Sequence, residues 1–191
     1  MSATPELRVA LLQYAIEQSA PDANRQKVER LVAQLPPDVD LVVLPEMFTT
    51  GFGPHAVRDA EAMDGPTVEW MKTISRSHGF FLMGSLPVQE GRTVYNRLVG
   101  ISPEGHLHYV DKRHRAIENQ AFVIGVNCVG RDAKGVSYGG NSALIRYDGA
   151  AMLQAGEVET ILHCRIHHHE LYKFRAQFPF LDDRDAFTIH L

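Results

Sequence analysis

Cysteine is nearly absent: Cys128 and Cys164 are the only two in 191 residues. That excludes a disulfide scaffold and makes a reduced, cytoplasmic setting the expectation. Long apolar runs are missing too, and none approaches the roughly 20 residues needed to span a bilayer. The opening "MSATPELR" has neither the basic start nor the apolar stretch of a secretory signal. An excess of positive charge is also lacking. The formal charge is −4 and the pI is near 6.2, so nothing favours a nucleic-acid partner or an anionic membrane. No internal repeat or low-complexity linker divides the chain.

What is present suits a folded domain. A chain that is 45% hydrophobic and 22% charged can bury a core, and its length favours one domain over residues 1–191. "LRVALL" (7–12) reads as a buried strand. Pro21 and Asp22 open a helix with Val28, Leu31, Val32 and Leu35 on one face, and Pro36-Pro37 stops it. "DLVVLPE" (40–46) is a second strand, giving a β-α-β start with parallel strands. A helix from Pro66 to about Ser77, ended by Gly79, precedes the strand "FFLMGSLPV". "TVYNRLVGIS" and "HLHYVDK" form a hairpin about Pro103-Glu104-Gly105. "AFVIGVNCVG" reads as one strand, "NSALIRY" and "AAMLQAG" as a hairpin about Asp148-Gly149, and "VETILHCRI" as the last strand before a helix from His168 to Phe178. Between Lys112 and Ala121 only "RHRAIENQ" is available, about two helical turns at most.

Several residues have the chemistry of a site. Glu46 leaves an apolar strand at its carboxyl end, where α/β folds place ligands, and a carboxylate there can serve as a general base. The plain alternative is a solvated strand-end Glu. Lys112 follows "HLHYVD" in the matching position and could stabilise an oxyanion; its alternative is a solvated charged face. "HCRIHHHE" (163–170) offers Cys164 and four histidines, but a closed zinc site needs two separated pairs, and a strand-to-helix switch would splay the side chains. No metal or cofactor is expected. Both thiols are expected to be buried and inert.

Together, "VVLPEMFTTGF", "YNRLVGISPEGHLHYVDKRH", "RAIENQAFVIGVNCVG" and "YGGNSALIRYDG" resemble, in order, the nitrilase superfamily of carbon–nitrogen hydrolases, with the omega-amidase branch nearest. The resemblance runs from "LRVALLQ" to "FPFLDDRDAF". It implies an α/β fold, a four-layer α-β-β-α sandwich, and pairing into a homodimer. It also implies a Glu-Lys-Cys triad that hydrolyses the amide of small dicarboxylate monoamides through a thioester. The family's Glu falls on Glu46 and its Lys on Lys112. Phe48, Thr49 and Phe52 would line the pocket, and Tyr95-Asn96 matches a supporting pair. The family's Cys has no counterpart. Relatives of this kind place a strand, the elbow "CYDLRFP", another strand and a long helix after "DKRH", whereas here His114 meets Arg115 directly. The expectation is therefore an internally truncated relative that binds a small-molecule amide without turning it over. The alternatives are a non-catalytic assembly subunit paired with a complete homologue, or an abbreviated product with no stable role.

Overall fold

The computed structural model describes residues 6–111, 121–132, 135–148 and 150–177. Among these the chain forms β1 (Glu6–Gln13), α1 (Pro21–Val32), β2 (Leu41–Val43), α2 (Pro54–Arg58), α3 (Pro66–His78), β3 (Phe81–Glu90), β4 (Thr93–Ile101) and β5 (Leu107–Asp111). The second half adds β6 (Val123–Gly125), β7 (Val129–Arg131), β8 (Ser137–Gly139), β9 (Ala143–Ile145), β10 (Ala151–Gln154), β11 (Thr160–His167) and α4 (His168–Gln177).

β1, β2 and β3 run parallel, as the β-α-β start requires, and β4, β5 and β11 are added antiparallel. They make a six-stranded sheet in the order β11-β1-β2-β3-β4-β5. Strand alternation gives this sheet two different faces. On one, Ala10, Leu12, Val42, Leu82 and Val99 bury the apolar stripes of α1 and α3 through Val28, Val32, Val68 and Met71. On the other, Val9, Leu11 and Val43 meet Leu144 and Ile124 of a three-stranded sheet, β10-β9-β6. α4 joins that second sheet through Phe174, whose ring lies 4.8 Å from that of Tyr147. The layers thus follow the α-β-β-α order, with an inner sheet half as wide as its partner.

Local chemistry explains the boundaries. Both α1 and α3 have Pro in the first turn, and α3 ends at Gly79 in the left-handed region (φ +75°). β2 is shorter than "DLVVLPE" suggests: Leu44 N still donates to Met83 O, but Pro45 has no N–H to continue the ladder. "AFVIGVNCVG" is two strands in different sheets. Asn127 interrupts it, its side chain accepting from Cys128 N and donating to Gly140 O. β11 passes into α4 between His167 and His168, at the junction expected within "HCRIHHHE". Among the described residues no three His, Cys, Asp or Glu side chains converge as metal ligands. Lys112, the join between His114 and Arg115, and "RAIENQ" lie outside the described residues, as do Gly149 and Phe178.

Candidate active site

The turn after β2 fixes Glu46. Met47 takes a left-handed backbone (φ +52°), unusual without glycine, and its N–H donates to Ser85 Oγ at 3.0 Å. Phe48 N donates to Ser85 O at 3.0 Å, and Gly51 N to Met47 O at 2.8 Å. From the helix layer, Asn24 Nδ2 donates to Thr49 O at 2.7 Å. Gly84 lets the turn sit this close: a Cβ there would lie 2.9 Å from Phe48 Cδ1.

So held, Glu46 is half-buried and accepts from Asn96 Nδ2 at 2.6 Å. It borders a cavity of about 270 Å³ between the two sheets, walled by Val43, Met83, Ser85, Leu98 and Ile124. A carboxylate oriented by an amide, in the lining of a largely apolar cavity, can accept a proton from a bound group.

The other expected site residues divide by face. Asn96 sits opposite Pro87 and joins Glu46, whereas neighbouring Tyr95 sits opposite Val88, a core residue of the helix side. The Tyr95 ring lies 5.2 Å from the Arg97 guanidinium. Phe48 is fully buried in the helix-side core, 6.1 Å from Trp70, and Thr49 is buried beside it. Neither side chain lines the Glu46 cavity, because Phe48 packs into the core on the opposite face of the sheet. Phe52 is 41% exposed and lines a second cavity of about 20 Å³, room for roughly one water, together with Gln18, Cys128 and Tyr138.

Cys128 lies outside the Glu46 cavity but within electrostatic reach of that carboxylate. Burial pushes its thiol pKa up, a backbone hydrogen bond opposes this, and the charge of Glu46 raises it further. Cys164 is on β11 opposite Val9, near the amino end of β1 and away from Glu46; it is only half-buried, not buried as expected, and this partial burial raises its pKa as well. Ser85 and Met47 were not singled out in the sequence. A serine inside an apolar strand gives no signal until the turn it holds is seen.

The carbon-nitrogen hydrolase family model matches residues 8–115 and 107–176. The chain belongs to this family. Its two matched stretches overlap at 107–115, around "DKRHR". Omega-amidase YafV of Escherichia coli K12 is 25% identical over 256 positions, covering 97% of this chain and 99% of that protein. The 2-oxoglutaramate amidase of Bacillus subtilis is 22% identical over 250 positions, covering 92% and 96%. These alignments are longer than the 191-residue chain, so several tens of positions of each relative have no counterpart. A CN-hydrolase superfamily protein of Xanthomonas campestris, solved with an arsenic adduct in its active site, superposes with a TM-score of 0.89 at 28% identity, covering 97% of this chain and 100% of that one. A carbon-nitrogen hydrolase of Helicobacter pylori shares the fold, with a TM-score of 0.83 at 14% identity. The chain is thus an omega-amidase-like member of the nitrilase superfamily.

Proposed function

We propose that this chain retains the amide-binding half of an omega-amidase site and does not turn amides over. Glu46 is the base, oriented by Asn96. Lys112 is the oxyanion partner, and the ligand is the amide of a small dicarboxylate monoamide. The observation that carries this reading is that Glu46, held by the Asn96 hydrogen bond, lines the inter-sheet cavity. Neither thiol is suited to replace the family's nucleophile. The thiolate is the attacking species, and burial disfavours it at both positions. Cys128 also borders a cavity too small for an amide substrate.

The purified chain should release no ammonia from 2-oxoglutaramate above a Glu46→Gln control, while saturable binding of the amide by calorimetry should weaken in Asn96→Leu. Ammonia release that Cys128→Ala abolishes would make that thiol the nucleophile and overturn the inactive reading. A second reading, pairing with a complete homologue, is favoured by the second sheet having three strands among the described residues and facing one of six. Co-purification with a full-length relative, against a monomer alone, separates the two. Function in the cytoplasm suits both readings. Among the described residues no helix is long and apolar enough to cross a membrane.

A further inference from the structure

At the opposite end of the sheet from Glu46, β1 and β11 place like charges face to face. Arg8 pairs directly with Arg165, and His163 follows two residues along β11, opposite Ala10. Side chains at alternate positions share a face, so the three bases lie on one side of the strand pair. Like charges directly opposite each other destabilise a ladder unless something neutralises them.

The acids nearby do so loosely. Arg8 Nε lies 3.5 Å from Asp38 Oδ2, an ion-pair distance beyond a good hydrogen bond, and Arg165 Nη1 lies 3.5 Å from Glu6 Oε2. Arg8 Nη1 donates to the Asp38 carbonyl at 3.1 Å. Arg8 Nε is buried and lacks a hydrogen-bond partner among the described residues. Above these groups is a cavity of about 250 Å³, lined by Arg8, His163 and Arg165, with Asp38 as its acid and Pro36 and Val39 as apolar walls.

We propose that this cavity binds an oxyanion, the carboxylate or phosphoryl group of a small molecule, between Arg8 and Arg165 with His163 alongside. Two guanidinium forks converging on a concave site match the geometry of such groups, and a bound oxyanion would relieve the repulsion between them. The site is separate from the Glu46 cavity and does not depend on amide chemistry there.

The test is a titration of the full chain, followed by backbone amide NMR, with inorganic phosphate and separately with succinate, at constant ionic strength held by sodium chloride. Saturable shifts at residues 8, 9 and 163–165 with phosphate, succinate or both are expected, and the responding anion identifies the oxyanion. Arg165→Gln should weaken that binding about tenfold. Its side chain is 62% exposed, so the fold should tolerate the change, and Arg8→Gln provides a second variant. Shifts that do not saturate, that chloride reproduces, that centre on Glu46 and Asn96, or that Arg165→Gln leaves unchanged would overturn the proposal.

Discussion

Glu46 depends on two neighbours that contribute no chemistry of their own. A left-handed Met47 redirects the chain immediately after the carboxylate, and one hydroxyl, Ser85 Oγ, receives the N–H that this turn presents. A non-glycine residue with positive φ is held in place by its surroundings at a cost of about 1–3 kcal/mol. Ser85→Ala would leave Met47 N–H buried without its partner. We expect this to lower stability by about 1–3 kcal/mol, read from the urea midpoint. An unchanged midpoint would mean that the turn holds without the hydroxyl. At this scale the sequence was partly legible. Glu46 could be found because a charge ends an apolar run, and Asn96 because the family wording carries it. The separation of Tyr95 from Asn96 follows from strand alternation, but it becomes visible only once the register against Val88 and Pro87 is known.

Among the elements, the first half was easier to read than the second. β1, α1, α3, β3 and β4 are long and periodic, so pattern and structure agree there, whereas the three-residue β2 is shorter than its apolar run and the five-residue α2 has no periodic signal. From β6 onward the strands are three or four residues long until β11, too short for alternation to decide a partner. Side-chain hydrogen bonds do much of the joining instead. Gln13, fully buried at the end of β1, donates to Gly156 O at 2.9 Å and Val158 O at 2.6 Å, and accepts from Ser142 N at 3.0 Å. One amide thereby ties the six-stranded sheet to segments flanking β9 and β10. Gln13→Leu would remove three hydrogen bonds and leave the buried Ser142 N–H without this acceptor, while Gly156 O keeps the N–H of Asn141, and should cost about 2–3 kcal/mol. Amide exchange at Ser142 should also quicken, and a Ser142 amide as protected as in the wild type would show that the joint is held by something else.

For the whole molecule, the shortening that separates this chain from its relatives was legible as a join in family wording, whereas burial around the site was not. That burial makes a prediction about pH. Tyr14 is fully buried, and its hydroxyl has no hydrogen-bond partner among the described residues. Burial, then the neighbouring Cys128, pushes its pKa well above the ordinary value, and burial likewise raises Tyr138, Cys128 and Cys164. Each of these acids is harder to ionise in the folded chain than in the unfolded one. The unfolded state therefore loses protons first as pH rises. The stability they contribute is fully present below the ordinary thiol range near pH 8.5, and declines as pH climbs through the thiol and then the phenol range. Urea midpoints should be level up to about pH 8 and fall steadily above it. Tyr14→Phe isolates the phenol part of this effect, which sets in near pH 10. It removes a hydroxyl that makes no hydrogen bond to a described residue, so stability at pH 7 should hold or rise slightly, and the alkaline decline should become shallower. A variant that loses about 1 kcal/mol or more at pH 7 while keeping the full alkaline slope would mean that the Tyr14 hydroxyl is satisfied in the folded chain and ionises without penalty.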